Sequence, residues 1–543
     1  MRAGFYPWRT TVPAVLLLLL AVSCGGGGPA EEGGGAEAQA AVLRTTYQPP
    51  ADGDLLPRML GHLSGSSRES LHFALEELPS FGDRAAEALA AGVAERLPDP
   101  ARFAELHNYC KGIAACGRRQ DAELMLRVLR ESPVPLVRSA AAEALGRIGG
   151  PEHSAALCRI LELESEPGPL QAEYAALGRL GGPAAAAFLE ERIRAWAAGR
   201  PGTTEDGNLA WGQVLELDDP DAPARLAELT ELLPGRIFHA TALRRRAELG
   251  DLSAVPELRT MLDPAAVPAA STRTLVVEGL GFAGDAEGVV AALDDPDPKV
   301  VLAAVNALSL APFREARVAH DRLEELARGE DRDLARAAMQ ALSLRGDRRL
   351  LEPWLLRARG YPNEPFSVEA IDLLQQEELR DERTFPVLLQ AWAQSGTEPR
   401  IGLLRVFGRL KDPRSLSIFE ELVFGPDSDP DLHRMAITQL ANLGEVGEPL
   451  LLRLGRGSLS EQDAEPALTS LAARARQGDA EARELLIQIS RDPERPPWVR
   501  EAALPLLVPT LRLDAFPLLL ELRDLARSAE ERLAVEDILN EFF

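Results

Sequence analysis

Residues 144–151 read ALGRIGGP, and thirty-two residues later residues 176–183 read ALGRLGGP, which differs at one position. The segment LVRSAAAEALGRI, which contains the start of the first copy, places apolar and small residues at steps of one, three and four. This is the spacing of one face of an α-helix. Gly-Gly-Pro then predicts that this helix ends and a second one begins. The phrase therefore predicts the elbow of a helical hairpin.

The residues around the first copy also predict its helix boundaries. We expect Ser132 to cap the first helix and Pro133 to occupy its first turn, where a missing N–H costs little. Gly149 and Gly150 are expected to end the helix in left-handed backbone, which glycine tolerates. Pro151 is expected to open the second helix.

Similar elbows recur through most of the chain, about every 33 residues between Asp83 and Asp514. The pattern is weak at residues 190–240 and 355–400. A pair of helices cannot bury both of its faces alone, so neighbouring pairs must supply the core. The sequence thus predicts an all-α fold, an α-solenoid of about fourteen helical hairpins. We expect residues 531–543 to cover the last one.

The hairpins resemble a known family of repeats. VRSAA at 137–141, VREAA at 499–503, the A-L-G elbow and LSAVPEL at 252–258 are similar to HEAT repeats, in particular the HEAT-like repeats first named from phycobilisome lyases. The resemblance implies a right-handed superhelix whose second helices line a concave face used for protein binding. In the family, the Val-Arg arginine often braces neighbouring repeats. Only Arg138 and Arg500 match that position cleanly.

The N-terminus carries the features of an export signal. Arg2 and Arg9 precede an apolar run that is too short to span a bilayer. The motif LAVSC, which ends at Cys24, resembles the lipobox of bacterial lipoproteins, which implies cleavage before Cys24 and acylation of its thiol. Two or more acyl chains anchor a protein stably. The alternative is an ordinary secretory signal with a chance cysteine at this position.

These features divide the chain into three parts. We assign residues 1–23 to the signal peptide, residues 24–46 to the lipidated cysteine and a flexible Gly-rich tether, and residues 47–543 to the solenoid. Gly25 stands where an aspartate would retain an enteric lipoprotein in the inner membrane, so the resemblance favours the outer membrane.

Charge restricts the choice of partner. The net charge is −25, and it becomes −27 when the signal with its two arginines is removed. This field repels nucleic acid. We expect a protein or peptide partner that is basic or neutral.

Motifs for catalysis or metal binding do not assemble in this sequence. The seven histidines are scattered without an H-E-x-x-H pair. The G-x-G-x-x-G at residues 279–284 lies in a repeat elbow with no βαβ pattern around it. The alternating aspartates of residues 427–438 lack the glycine and glutamate of a calcium loop. We therefore predict no catalytic residue, no cofactor and no metal site.

Two tryptophans on second helices are candidate anchors for a partner. Trp354 and Trp392 lie 38 residues apart on the second helices of adjacent hairpins. Tryptophan is enriched at interface hot spots, so both could line a groove. The alternative is that both fill the core between repeats.

The sequence thus predicts a non-enzymatic, membrane-anchored scaffold of the bacterial cell envelope that binds another protein. Two alternatives remain open at this point. One is an enzyme or enzyme subunit similar to the phycobilisome lyases, and the other is a purely structural spacer. The first would need a convergent polar pocket, and the second a featureless acidic groove.

Substitution of Cys24 tests the lipid anchor. Cys24→Ala should abolish acylation and move the protein from the membrane fraction to the soluble fraction outside the cytoplasm. Metabolic labelling with a lipid precursor measures this directly. Cys116→Ala is the matched control and should keep the label, whereas an unlabelled wild-type protein would exclude the anchor.

Overall fold

A computed structural model describes residues 47, 49, 53–65, 67–217, 219–233, 235–310, 313, 318–344, 355–356, 358–363, 367–374, 382–426 and 429–543. Residues 47–543 form one compact unit. Cys24, Trp354, the signal at residues 1–23 and the tether at residues 24–46 lie outside the described residues.

The described residues are helical from one end of this unit to the other. In chain order the helices are α1 Leu56–His62, α2 Arg68–Glu77, α3 Asp83–Arg96, α4 Phe103–Cys116, α5 Ala122–Glu131, α6 Pro135–Ile148, α7 Ser154–Leu161, α8 Pro167–Leu180, α9 Gly182–Ala197, α10 Thr204–Glu216, α11 Ala222–Thr230, α12 Arg236–Glu248, α13 Val255–Thr260, α14 Ala270–Phe282, α15 Ala286–Ala291, α16 Pro298–Ala307, α17 His320–Ala327, α18 Arg332–Ser343, α19 Ser367–Leu373, α20 Thr384–Gln394, α21 Thr397–Leu410, α22 Leu416–Phe424, α23 Pro430–Leu440, α24 Glu448–Arg456, α25 Glu461–Arg476, α26 Ala480–Arg491, α27 Pro497–Leu511, α28 Ala515–Leu525 and α29 Ala529–Phe542.

These helices form consecutive hairpins, which confirms the predicted α-solenoid. We call the helix before each elbow the first helix and the helix after it the second helix. The first helices are α2, α4, α6, α8, α10, α12, α14, α16, α18, α19, α21, α23, α25 and α27, and α29 continues their layer after the last elbow. A continuous core of buried side chains runs from Tyr47 to Phe543.

The helix around the first copy of the repeated phrase begins later than expected. Pro135, not Pro133, occupies the first turn of α6, and no side chain caps the helix. Ser132 instead accepts a hydrogen bond from the backbone N–H of Val134 at 3.4 Å. After the elbow, Pro151 opens a short 3-10 turn, and α7 begins at Ser154.

The two copies of the phrase differ in backbone conformation. Gly149 has a φ of −74° in extended backbone, so the expected left-handed ending is wrong for the first copy. Gly181 and Gly182, in the second copy, are left-handed with φ of 63° and 82°. The shared glycines therefore have a common cause other than φ.

For several of these glycines the cause is close approach between successive hairpins, whereas Gly181 has open space around it. A Cβ on Gly146 would lie 3.0 Å from Cα of Ala176 in the next first helix. One on Gly149 would lie 2.6 Å from Cδ2 of Leu180, and one on Gly182 would lie 2.8 Å from Cβ of Pro151 in the preceding elbow. The repeated phrase places glycine where the next or the previous hairpin touches the backbone.

The G-x-G-x-x-G segment serves the same packing. Gly279 and Gly281 lie inside α14, where added Cβ atoms would meet Cα of Arg244 at 3.1 Å and Cβ of Ala307 at 3.0 Å. Gly284 follows the helix with a φ of 72°. Gly279 and Gly281 thus allow neighbouring helices to approach α14 closely, and Gly284 lies just after the end of that helix.

Buried arginines of first helices hold neighbouring hairpins together. Arg138 donates from Nε and Nη2 to Glu164, at 2.7 and 3.0 Å, and from Nη1 to the carbonyl of Ser132 at 3.1 Å. Arg273 donates to both carboxylate oxygens of Asp295 at 2.7 Å. Because Ser132 precedes α6 and Glu164 precedes α8, each arginine ties its helix to the inter-repeat loops on both sides. Charge-assisted bidentate pairs of this kind are strong.

More residues occupy this bracing position than the Val-Arg pattern indicated. They are Arg138, Arg273, Arg400, His433 and Arg500. His433 replaces arginine in α23, with Nδ1 2.8 Å from the carbonyl oxygen of Leu422 and Nε2 2.7 Å from Oδ1 of Asp463. Thr272 and Pro399 stand before Arg273 and Arg400, which is why the pattern missed them.

The two ends of the unit contact each other. Phe73 of α2 packs edge-on against Phe542 and Phe543, with ring centroids 5.4 and 5.5 Å apart. The hydroxyl of Tyr47 donates to the carbonyl of Phe543 at 2.9 Å. The array therefore closes on itself at a seam, and residues 531–543 join the last hairpin to the first. The segment covers the last hairpin, as expected, and the contact with the first hairpin is an addition that the sequence did not predict.

Among the residues that the structure describes, one stretch is apolar enough to span a membrane by length and composition, namely Pro497–Leu525, with a mean hydropathy of 1.5. It contains an elbow, because Arg512 adopts a φ of 59° at the end of α27. The stretch thus forms the hairpin of α27 and α28, and half of its most apolar window is buried in the protein.

The close approach at Gly146 can be tested by adding side-chain volume. Gly146→Val should lower the free energy of unfolding by about 1–3 kcal/mol because its branches would collide with Ala176. Thermal unfolding followed by circular dichroism measures the change. Gly212→Ala is the control, because a Cβ there meets no described atom within 4 Å. It should stabilise α10 by up to about 1 kcal/mol. A Gly146→Val protein as stable as wild type would contradict the contact.

Candidate binding surface

The first helices form the inner layer of the closed array. Successive first helices contact one another extensively around most of the circuit, whereas successive second helices touch only sparsely. In an array that closes on itself, the layer with the closer helices has the shorter circumference and lies inside. The surface expected on the second helices is therefore on the first helices instead. We call the exposed face of this layer the inner surface.

The first helix α6 shows a row of exposed and partly exposed side chains on this surface. On α6 the row contains Leu136, Ser139, Glu143 and Arg147, spaced by three or four residues. Leu136 is 52% exposed, and Nη2 of Arg147 lies 2.8 Å from Oε1 of Glu143. The inner surface thus mixes apolar groups with charge pairs, as protein interfaces do.

An exposed apolar patch lies where α14 and α16 end. Phe282 is 47% exposed and Leu310 is 39% exposed. A Cβ on Gly281, the residue before Phe282, would lie 3.5 Å from Cδ1 of Leu310, so Leu310 packs against the end of α14. The guanidinium carbon of Arg244 lies 5.7 Å from the ring centroid of Phe282. Exposed aromatic and arginine side chains side by side are typical of interface hot spots.

Three aromatic rings interrupt the first-helix layer between α10 and α12. The ring centroid of Phe238 lies 5.0 Å from that of Trp196 and 6.0 Å from that of Trp211, both edge-on. Gly212 occupies the A-L-G position of α10 but has no described atom near it. The weak repeat signal at residues 190–240 therefore marks an interface widened by large side chains.

Trp392, one of the two candidate anchors, is half-buried on the second helix α20. Its ring centroid lies 5.9 Å from that of Phe407 in the next first helix. The guanidinium of Arg400 covers the ring at 5.0 Å and donates to the carbonyl of Trp392 at 3.0 Å. This is the inter-repeat packing that was the alternative to a groove position. Trp354, the other candidate, lies outside the described residues.

Ion pairs join neighbouring repeats on the outside of the array. Arg119 binds both carboxylate oxygens of Glu152 at 2.7 Å, which lowers the pKa of Glu152 to about 2. Arg453 binds Glu420 at 2.7 Å. Like Arg119 and Glu152, these two residues are 33 positions apart in the sequence. These pairs are exposed, so each contributes little to stability.

A buried carboxyl group lies beside the Arg138 brace. Glu173 is fully buried in α8, and neither of its oxygens has a hydrogen-bond partner among the described residues. Glu164 accepts hydrogen bonds from Nε and Nη2 of the neighbouring Arg138. Burial, assisted by the nearby charge of Glu164, raises the pKa of Glu173 to about 8. The group is therefore mostly protonated at neutral pH.

Metal binding finds no support within the described part of the chain, where no three His, Cys, Asp or Glu side chains come together. Asp429, from the calcium-like segment, caps α23 by accepting from the backbone N–H groups of Asp431 and Leu432. Asp427 lies outside the described residues.

Comparison with known proteins identifies the repeat type. Residues 122–199 match the family model of HEAT repeats, and no curated protein matches the chain. The match identifies the hairpins of residues 122–199 as HEAT repeats, and the same alternation of first and second helices continues along the described part of the solenoid.

Solved structures similar to the chain include karyopherins. Kap121p bound to Ste12p is 12% identical with a TM-score of 0.33, and the match covers 88% of this chain and 58% of that one. The Kap95:Nup1 complex is 12% identical with a TM-score of 0.37, over 90% and 81%. Importin beta, crystallised in ammonium sulfate, is 12% identical with a TM-score of 0.34, over 90% and 82%. This chain spans just over half the length of the Kap121p structures.

The buried Glu173 predicts how stability depends on pH. Its pKa is higher in the folded state, so the folded chain binds more protons than the unfolded chain between about pH 4.5 and pH 8. Stability should therefore fall as pH rises through this window, by at most about 1.4 kcal/mol per pH unit from this group. Glu173→Gln should remove that fall and leave the protein more stable than wild type at pH 8.

Unfolding temperatures at pH 5, 6, 7 and 8 measure this effect. The exposed Glu191 provides the matched control, since Glu191→Gln should keep the wild-type slope. Parallel slopes for wild type and Glu173→Gln would show that Glu173 is ionised in the folded protein.

Proposed function

We infer that this chain is an exported, lipid-anchored scaffold of the bacterial cell envelope that binds a protein or peptide without transforming it. The observation that carries this proposal is the exposed patch of Phe282 and Leu310 on the inner surface, beside Arg244. A HEAT-like solenoid offers a long surface on which several such contacts act together. Tight binding needs a few anchors of this kind within a larger contact area.

The anchor in this proposal is Cys24. The folded unit begins at Tyr47, so the tether has about 23 residues. A Gly-rich coil of that length has a root-mean-square span of about 25 Å. This distance would let the solenoid bind partners near the membrane surface, with the outer membrane favoured.

The charge of the chain supports a basic or neutral partner. The net charge of the mature chain is −27, and carboxylates crowd the loops that lead into first helices, as with Asp294, Asp295 and Asp297 before α16. Such a field attracts cationic surfaces and repels nucleic acid. Because exposed charges are screened, association should weaken as salt rises.

A capture experiment tests the proposal. The Cys24→Ala chain should retain a specific protein from solubilised membranes, with less retained at 0.5 M than at 0.05 M salt. Phe282→Ala combined with Leu310→Ser should reduce retention about tenfold or more, because truncation of anchors at the centre of an interface costs over 1 kcal/mol each. Leu163→Ala removes a side chain that is 87% exposed outside the inner surface and is the matched control.

Three outcomes would count against the proposal. Equal retention by the double variant and by wild type would exclude the Phe282 patch as the binding surface. No retained protein at any salt would favour a structural spacer. Turnover of a small molecule by the purified chain would favour an enzyme.

A further inference from the structure

A cavity of about 190 Å³ lies between the α27–α28 hairpin and α29. Leu504, Leu522 and Val535 form an apolar wall, and each is at most 5% exposed. Leu525 lies at the mouth and is 55% exposed. An engineered protein cavity of about 150 Å³ accommodates benzene. The cavity therefore has room for a compact apolar group and an opening through which it can enter.

The cavity is basic although the chain is acidic. Arg491, Arg500 and Arg527 line it together with one carboxylate, Glu531, whereas the whole chain has a net charge of −25. The cleft at the corresponding place between α16, α17 and α18 is lined by two aspartates and one arginine. The positive lining is thus a property of this cavity and not of the repeat.

Among the described residues, one donor of Arg500 is left without a protein acceptor beside the cavity. The residue is 6% exposed; Nε donates to Oε1 of Glu531 at 2.7 Å and Nη1 donates to the carbonyl of Arg495 at 2.5 Å. Oε2 of Glu531 accepts from the backbone N–H of Arg527 at 3.0 Å. Within the described part of the chain, Nη2 of Arg500 has no acceptor.

The equivalent arginines of two other hairpins show what is different. Arg138 and Arg273 each donate from both Nε and Nη2 to the two oxygens of one carboxylate. At Arg500 the second oxygen is turned to a backbone N–H, so its Nη2 remains free. A charged donor that lines a cavity without a protein acceptor can donate to a ligand oxygen, and charge-assisted hydrogen bonds are strong.

We propose that this cavity binds a carboxylate joined to a compact apolar group. One carboxylate oxygen accepts from Nη2 of Arg500, the apolar group packs against Leu504 and Leu522, and Arg527 adds positive charge at the mouth. Two sources share this chemistry: a free small carboxylic acid, and the C-terminal carboxylate of a peptide that ends in an apolar residue. The site is separate from the inner-surface patch of the proposed function.

Titration calorimetry on the full chain with Cys24→Ala tests this site. The probes are 4-methylpentanoate with its neutral amide, and a hexapeptide ending in leucine with its C-terminally amidated form. Each carboxylate should bind at least about tenfold more tightly than its amide, because a charge-assisted hydrogen bond is lost. A peptide that binds more tightly than the free acid identifies a peptide terminus as the ligand. The reverse order identifies a small acid.

A substitution of Arg500 would also weaken its contact with Glu531, which holds neighbouring hairpins together. We therefore choose variants at the mouth of the cavity. Leu525→Trp should fill the mouth and abolish binding of both carboxylates, and Arg527→Ala should weaken it several-fold. Gln488→Ala, an exposed site on α26 that does not line the cavity, is the control. Unchanged affinity in Leu525→Trp, equal affinity for acid and amide, or no binding at 10 mM of any probe would overturn the proposal.

Discussion

Close approach of first helices, as between Gly146 and the backbone of Ala176, is the contact on which the curvature of the array depends. First helices can approach this closely only where the touching residue has little or no side chain. Successive second helices contact one another only sparsely. A difference in spacing between two layers bends the array toward the closer layer. Repeated around the chain, this bend lets Phe73 meet Phe543.

The fold was largely predictable from the sequence, because its cause is local. Helical periodicity and the A-L-G elbow are visible within a single repeat. Together they predicted the helical hairpins and their approximate number. The boundaries of α6 were wrong by two residues, since Pro135 suits a first turn as well as Pro133 does. The contact between the first and last hairpins could not be predicted from the sequence in this way, because it depends on the curvature of the array summed over all repeats. The order of the layers depends on the same sum.

The candidate sites were less predictable, because they arise where the repeat departs from its rule. Phe282 reads in the sequence as one more apolar residue at the end of a helix, and only the structure shows it 47% exposed beside Leu310. Arg500 carries the same Val-Arg signature as Arg138. The difference between them lies in which donors the paired carboxylate accepts. No sequence pattern records that, although the extra arginines nearby, Arg491 and Arg527, were visible.

The bracing arginines also explain why one carboxyl group, that of Glu173, is buried without a hydrogen-bond partner among the described residues. Nε and Nη2 of Arg138 both donate to Glu164, so the neighbouring Glu173 is buried without a paired positive charge. A buried ion pair strongly penalises the loss of one partner, which fixes Glu164 in place. Glu173 must then become neutral by binding a proton. The same local geometry that secures three hairpins therefore makes one of them sensitive to pH.

Aromatic residues in this chain mark the places where small-residue packing stops. They make up only 5% of the sequence. One group, Trp196, Trp211 and Phe238, fills the gap where α10 and α12 lose contact. A second group closes the seam, where Tyr47 and Phe516 lie 6.3 Å apart and Phe73 packs on Phe543. Trp392 packs on Phe407 in the same way. In a solenoid built on glycine and alanine contacts, a large ring is needed wherever the interface widens. Aromatic residues also pack inside regular hairpins, as Tyr174 and Phe188 do, so exposure is the observation that makes one, such as Phe282, a candidate anchor.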